Sequence, residues 1–248
     1  MGMEHYAVLG ATVAGAYTVF GLTGFGAAMV AVPILVQFIP LQFVVPMLLL
    51  LDLVTTLMVG MRNWSSVSRP ELLRLIPFMT VGVVLGTTVL AKIESRWLLV
   101  GLGLFVLVMT GRALLMSSAR AEEEVARGWS VPAGVVGGVF SALFGTGGPI
   151  YTMYLSRRLP QIDAFRSTIA AVILFSALVR LAAFASSGLL HQGDLLRSAA
   201  FAMPFSLVGL AVGSRLRKRI SADNVRRALL IFLCASGVSV LCRGLSMH

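Results

Sequence analysis

A glycine cluster followed by a proline interrupts an apolar segment of the sequence, as GTGGP at residues 145–149 within residues 131–155. Inside a helix, glycine costs about 1 kcal/mol relative to alanine and proline about 3 kcal/mol, so a regular helix is unfavourable there. A helix that restarts after such a break presents free N–H groups and the positive end of its dipole, which suits an oxyanion. The alternative is that the glycines only permit a close helix crossing. We predict an anion site formed by Gly145, Thr146, Gly147 and Gly148.

A related glycine-interrupted segment lies near the start of the chain, as GLTGFG at residues 21–26 within the apolar residues 7–38. One helix of that length would extend about 48 Å, whereas the hydrocarbon core of a bilayer is about 30 Å thick. We therefore predict two half-helices separated by the break. Backbone groups freed by a break find no water in hydrocarbon, so such a break is stable only where protein buries it or a polar cavity adjoins it. The predicted binding residues here are Thr23, Gly24 and Gly26.

Hydroxyl side chains accompany both breaks. Thr23 and Thr146 are suited either to bond an anion or to cap the following half-helix. Tyr151 and Tyr154 follow the second break, where they either donate to a substrate oxygen or simply pack. The sequence leaves these alternatives open.

Charged side chains inside apolar segments are further candidates. Arg180 lies within residues 164–185, where a charge usually faces the interior of the helix bundle or a cavity. The alternative is that Arg180 extends its guanidinium to the membrane interface. Asp52 lies near the middle of its segment and is predicted either to pair with an arginine or to take up a proton during transport. Outside these segments, Ser68 and Glu71 resemble a capping box at the start of the helix that runs through Pro77.

Composition identifies an integral membrane protein. Of the 248 residues, 58% are apolar and only 12% are charged, about half the charged fraction of a soluble domain. The net charge of +10 reflects basic residues in the short loops between apolar segments, so we predict contact with the lipid bilayer and no binding of nucleic acid. The sequence shows no phosphate-binding loop, metal-ligand spacing or nucleophile motif. We therefore predict no cofactor, no metal site and no enzymatic activity.

The distribution of basic residues predicts the topology. If each glycine-broken segment enters the membrane and returns, the loops on one side hold 15 of the 20 Lys and Arg residues and those on the other side hold four. Single crossings by every segment would divide them 11 to 8, a poorer match to the positive-inside rule. The apolar segments are residues 7–38, 43–61, 75–92, 97–116, 131–155, 164–185, 199–214 and 226–245.

The sequence contains two related halves. We predict an N-terminal repeat over residues 1–116, a polar cytoplasmic linker over 117–130 and a C-terminal repeat over 131–248. Glycines of the two breaks correspond at an offset of 121, and Pro77, Gly82 and Gly86 correspond to Pro204, Gly209 and Gly213 at an offset of 127. An odd number of passes in each half makes the repeats inverted, with both termini outside the cytoplasm. The predicted fold is an all-α polytopic membrane protein of two inverted repeats, each with a glycine-broken helical hairpin meeting near the membrane midplane.

At these breaks the sequence resembles the TauE/SafE family of sulfite and organosulfonate exporters. The resemblance depends on the glycines of residues 24–26 with Pro33 downstream, on FGTGGP at residues 144–149, and on the two-copy organisation. It implies a multi-pass permease for small anions in the inner membrane of a bacterium. It also implies a secondary transporter that moves sulfite, thiosulfate or an organosulfonate by alternating access.

Other interpretations remain open from the sequence. These are an anion channel, a permease for another carboxylate or oxyanion, an integral membrane enzyme and a scaffold subunit without transport. An enzyme would need a catalytic cluster, and a scaffold would not need intramembrane glycine breaks. The sequence leaves open the exact substrate, the direction of transport, the coupling to protons and the oligomeric state, a homodimer included.

Overall fold

A computed structural model describes residues 3–23, 26–60, 66–115, 125–217 and 222–246. These residues form ten α-helices and one 3₁₀ turn at Arg127–Trp129, without a strand. In chain order the helices are α1 (Met3–Thr23), α2 (Ala27–Leu35), α3 (Leu41–Gly60), α4 (Arg69–Lys92), α5 (Ser95–Leu115), α6 (Ser130–Phe144), α7 (Gly148–Arg158), α8 (Ile162–Ser186), α9 (Leu195–Leu216) and α10 (Ala222–Ser246).

Seven of the described helices are long and apolar enough to cross a membrane. They are α1, α3, α4, α5, α8, α9 and α10. This arrangement confirms the prediction of an all-α polytopic membrane protein. The inversion of the repeats and the meeting of the two hairpins remain predictions.

The three short helices, α2, α6 and α7, adjoin the glycine breaks and contain 9, 15 and 11 residues. Both predicted breaks therefore interrupt helices. The first break does not divide its segment into two half-helices, because α1 contains 21 residues and is itself long enough to span a membrane. Only its partner α2 has the length of a half-helix.

The helices group into two compact units, each of which takes elements from both halves of the sequence. The first unit contains α1, α2, the start of α3, α5, α9 and α10. The second unit contains the rest of α3 together with α4, α6, α7 and α8. Within each unit, one long helix of one sequence half packs on a glycine-containing helix of the other half.

Glycines allow the two helices of each pair to pack closely against each other. In the second unit, a Cβ added to Gly82 of α4 would lie 2.1 Å from the backbone oxygen of Val135 in α6. In the first unit, a Cβ added to Gly209 of α9 would lie 2.3 Å from the backbone oxygen of Ala14 in α1. No Cβ fits at either position, so both glycines are required for packing, as small-residue helix faces in membranes generally are.

The helices of the two sequence repeats correspond in chain order. The second helix of each copy begins at Ala27 or Gly148, and the third begins at Leu41 or Ile162, both at an offset of 121. The fifth helices begin at Ser95 and Ala222, at an offset of 127. The offsets predicted from glycines and prolines thus also relate the helix starts.

Candidate functional site

The second glycine break is a turn between α6 and α7. Gly145, the residue after α6, has a φ of 69° in the left-handed region, which favours glycine. Its N–H donates to the carbonyl of Ser141 across 2.9 Å, and the N–H of Thr146 donates to that of Phe140 across 3.4 Å. These bonds satisfy carbonyl groups at the end of α6 and fix the direction in which α7 leaves.

The start of α7 presents the backbone N–H groups of Gly147 and Gly148, since Pro149 has no N–H. The carbonyl of Gly147 accepts the N–H groups of Ile150 and Tyr151 across 3.1 and 3.2 Å. No side chain caps the helix. The N–H groups of Gly147 and Gly148 precede these bonds, at the position where a helix has donors without intrahelical partners. Together with the helix dipole, they make the break suitable for a small anion.

Gly147 is also needed for packing. Its backbone is right-handed, with a φ of −67°. A Cβ at Gly147 would lie 2.6 Å from the backbone oxygen of Gly137 and 2.8 Å from the Cβ of Ser141. The absence of a side chain at Gly147 therefore permits the close packing of α7 on α6, which was the predicted alternative to an anion site. This packing role is compatible with binding of an anion by the Gly147 amide.

Thr146 is a buried polar residue inside the break. It is 3% exposed, and its hydroxyl has no hydrogen-bond partner among the described residues. It does not cap α7, so the capping alternative is wrong for this threonine. A buried hydroxyl without a partner costs about 1–3 kcal/mol, and an anion accepting from it would remove that cost.

A polar network connects α6 to α8 beside the break. We call it the Ser141–Arg180 network, which comprises Ser141, Ser176 and Arg180. The hydroxyls of Ser141 and Ser176 are 2.8 Å apart, and Nη1 of Arg180 donates to the carbonyl of Ser141 across 3.1 Å. Arg180 is 3% exposed. It is held inside the second unit, so the alternative of snorkelling to the interface is wrong.

Tyr151 lies beside this network. Its side chain is 1% exposed and its ring lies over Gly137, where an added Cβ would be 2.3 Å from the ring. Its hydroxyl is buried and has no hydrogen-bond partner among the described residues. The ring therefore packs, as one predicted role requires, and donation from the hydroxyl to a substrate oxygen remains a prediction.

The first break lies in the other unit. Gly26 has a φ of 95° and precedes α2 without a side-chain cap, and an added Cβ would meet no atom within 4 Å. The hydroxyl of Thr23 donates to the carbonyl of Val19 across 2.8 Å, within α1. Both predicted roles of Thr23, binding of an anion and capping of α2, remain predictions. The predicted binding residue Gly24 is outside the described residues.

The polar residues of the second break have mostly apolar counterparts in the first copy. At an offset of 121, two of the five polar residues correspond to phenylalanine, two correspond to valine, and one corresponds to a residue that keeps a hydroxyl. The pairs are Ser141 and Phe20, Thr146 and Phe25, Tyr151 and Val30, Ser176 and Thr55, and Arg180 and Val59. The repeat thus duplicates the break but not its polar side chains.

The remaining predicted residues lie elsewhere. Asp52 is partly buried in α3, and its backbone carbonyl accepts the hydroxyl of Thr55 across 3.2 Å. The hydroxyl of Tyr154 donates to Glu71 across 2.6 Å. Glu71 is not part of a capping box, because the N–H of Ser68 donates to the hydroxyl of Thr168 instead.

Sequence reasoning missed Ser141 and Ser176. A signal for Ser176 was present, because it precedes Arg180 by four residues and so shares its face of α8. Ser141 likewise precedes Gly145 by four residues, one helical turn before the break. Polar residues one turn from a buried charge or a helix break therefore merit attention in apolar segments.

The fold and the break define a class of protein: a multi-pass helical membrane protein with a polar site at an interrupted helix, as many secondary transporters have. Comparison with known proteins gives the family. The model of the family described as "Sulfite exporter TauE/SafE" matches residues 7–240, so the chain belongs to this family of transporters. The chain is also 29% identical over 198 residues to a protein of Comamonas testosteroni named "Probable inner membrane transporter protein TsaS", covering 78% of this chain and 81% of that protein. No solved structure matches the chain.

Proposed function

We propose that the chain is a secondary transporter of the inner membrane that moves a small sulfur oxyanion. The proposed substrate class is sulfite, thiosulfate or an organosulfonate. The family description names sulfite, and the relative from Comamonas testosteroni is named as an inner membrane transporter. The anion binds at the start of α7, to the amides of Gly147 and Gly148 and to the hydroxyl of Thr146. Alternating access of this site to the two sides of the membrane carries the anion across.

The observation that carries the proposal is the buried hydroxyl of Thr146. It has no partner among the described residues and lies directly before the helix start whose dipole favours an anion. The guanidinium of Arg180 supplies positive charge close by, through its contact with Ser141, four residues before the turn. Backbone amides, a hydroxyl and a guanidinium are all donors, a combination that suits oxygen atoms bearing negative charge.

The polar side chains of the proposed site come from the second break, with Thr146 directly before the start of α7. Asp52 in α3 is the proposed carrier of a coupled proton, because an ionisable residue inside a membrane-spanning helix usually has a functional role.

Ligand-induced stabilisation of the purified protein tests the substrate class. Sulfite, thiosulfate, taurine and acetate are added separately, each at concentrations up to several millimolar, and the melting temperature is recorded. Binding of a ligand to the folded state alone raises the melting temperature as its concentration exceeds Kd. We expect a saturable rise with at least one sulfur oxyanion and none with acetate. A rise with acetate alone would contradict the proposed substrate class.

Transport by reconstituted vesicles then separates a carrier from a channel. Vesicles preloaded with unlabelled anion should accumulate labelled anion transiently, because a carrier exchanges one molecule for another. Flux that increases linearly with anion concentration and shows no counterflow would contradict the carrier mechanism.

A further inference from the structure

A second buried polar cluster lies at the opposite end of α7 from the glycine break. Its centre is the carboxylate of Glu71, in the first turn of α4, which is 4% exposed. The hydroxyl of Tyr154 donates to Oε2 across 2.6 Å. Arg158 donates to Oε1 from Nε across 3.2 Å and from Nη2 across 3.0 Å. We call Glu71, Tyr154 and Arg158 the α7 latch.

The latch joins two different helices. Tyr154 and Arg158 are four residues apart and lie on one face of α7, whereas Glu71 belongs to α4. Arg158 also donates from Nη1 to the carbonyl of Val125 across 3.3 Å. Arg74 contacts Glu71 as well, across 3.1 Å, but it lies on α4 itself and its side chain is 36% exposed. The bonds from Tyr154 and Arg158 therefore connect the helices, and the bond from Arg74 does not.

The helix that carries Glu71 is firmly packed. A Cβ added to Gly86 of α4 would lie 2.6 Å from the backbone oxygen of Val139 in α6, and one added to Gly138 of α6 would lie 2.4 Å from that of Met79 in α4. Helices at such separations cannot slide without clashes between backbones. The pair α4–α6 is therefore a rigid support for the carboxylate of Glu71.

The other end of α7 is the proposed anion site. The helix contains 11 residues, so its two ends are separated by roughly 15 Å. Its start follows the turn at Gly145, and its end is fixed by Glu71 through a buried ion pair. A displacement at the latch would move α7 as a body and so shift the amides of Gly147 and Gly148.

We infer that Glu71 is a positioning residue, which fixes α7 through Tyr154 and Arg158 and thereby holds the start of that helix in the geometry that binds the anion. The inference depends on the proposed function for the identity of the site at the helix start. The fixing of α7 by Glu71 does not depend on it. Loss of one partner of a buried ion pair leaves the other charge uncompensated, so the latch is sensitive to single substitutions.

Hydrogen exchange measured by mass spectrometry tests the fixing of α7 without any ligand. In Glu71→Gln we expect the amides of residues 150–158 to exchange at least tenfold faster than in the wild type, with those of α6 unchanged. The matched control is Arg74→Gln, which removes a contact of Glu71 without separating the helices and should leave exchange in α7 unchanged. Tyr154→Phe, which keeps the ion pair, is the milder variant and should give a smaller increase. Unchanged exchange in α7 of both Glu71→Gln and Tyr154→Phe would overturn the inference.

Binding of sulfite and thiosulfate tests the connection to the anion site. In Glu71→Gln we expect the Kd for the anion that stabilises the wild type to rise at least tenfold, with Arg74→Gln unchanged. A purely structural role would lower the ligand-free melting temperature and leave the Kd of the folded fraction unchanged, and that result would also overturn the inference. If the wild type binds no anion, the proposed function fails, while the exchange measurement still decides whether Glu71 fixes α7.

Discussion

Nη1 of Arg180 donates to the backbone carbonyl of Ser141 across 3.1 Å, and the same carbonyl accepts the N–H of Gly145. One oxygen near the end of α6 thus fixes both the glycine turn and the buried guanidinium of α8. A cation at the C-terminal end of a helix also interacts favourably with the helix dipole. Arg180 therefore stabilises the turn as well as supplying charge near the proposed anion.

Arg180→Gln should lower the melting temperature and weaken anion binding together. The variant loses a charged hydrogen bond, typically about 1.5–3 kcal/mol, and removes positive charge near the start of α7. The control is Arg166→Gln on the exposed surface of the same helix, which should change stability by less than about 0.5 kcal/mol. Thermal melting with and without sulfite measures both effects. Wild-type melting and binding in Arg180→Gln would show that neither role is correct.

Gly82→Ala and Gly209→Ala should both destabilise the protein. The added Cβ atoms would lie 2.1 and 2.3 Å from backbone oxygens of the adjoining helices, and overpacking of this kind costs roughly 1–3 kcal/mol. Gly15→Ala in α1 is the control, because its Cβ would meet no atom within 4 Å. Alanine there should raise stability by up to about 1 kcal/mol. Melting of Gly82→Ala at the wild-type temperature would contradict the close packing of α4 on α6.

The inverted topology predicts that the start of α4 and the end of α7 face the same side of the membrane. Arg69 and Ser156, both exposed, are each replaced by cysteine in a background where the two native cysteines, Cys234 and Cys242, are serine. A membrane-impermeant thiol reagent should label both positions only from the cytoplasm, whereas single crossings by every apolar segment would place them on opposite sides. Labelling of the two positions from opposite sides would contradict the inverted arrangement.

The breaks could be predicted from the sequence because glycine and proline act locally, whereas the partners of the polar residues could not. Arg180 contacts a carbonyl 39 positions away in the chain, and Tyr154 and Arg158 contact Glu71 across 83 and 87 positions. Local propensity contains no information on such contacts. The short pattern at Ser68 instead suggested a local partner for Glu71, but tertiary packing supplied Tyr154 and Arg158.

The sequence repeat likewise predicts local structure but not the contacts between helices. Its glycines revealed that α4 and α9 are equivalent, since Gly82 and Gly209 correspond at an offset of 127. The sequence did not reveal that each of these helices packs on a helix of the other half. Close packing depends on complementary surfaces of two different helices. A sequence repeat identifies which helices are equivalent, but not which helices contact each other.

Asp52→Asn should leave the protein folded and impair transport that depends on a proton gradient. Asparagine has nearly the same shape as aspartate but cannot carry the proton. Transport of the labelled anion is measured in reconstituted vesicles with and without a pH gradient, beside Asp163→Asn, which changes an exposed carboxylate at the start of α8. A response to the gradient in Asp52→Asn equal to that of the wild type would show that Asp52 is not the proton carrier.

Thr146→Val tests the anion site most directly, because valine keeps the shape of threonine and removes only the hydroxyl. That hydroxyl has no partner among the described residues, so the ligand-free melting temperature should stay the same or rise slightly. The control is Thr152→Val, which removes a hydroxyl that donates within α7 to the carbonyl of Gly148 across 2.8 Å.

The decisive measurement is the Kd of sulfite and thiosulfate for the wild type, Thr146→Val and Thr152→Val, determined with the same purified preparations. The proposed site predicts at least a tenfold increase in Thr146→Val, about 1.4 kcal/mol of binding free energy, and a change of less than threefold in Thr152→Val. A Kd in Thr146→Val equal to that of the wild type would contradict the placement of the anion at the start of α7.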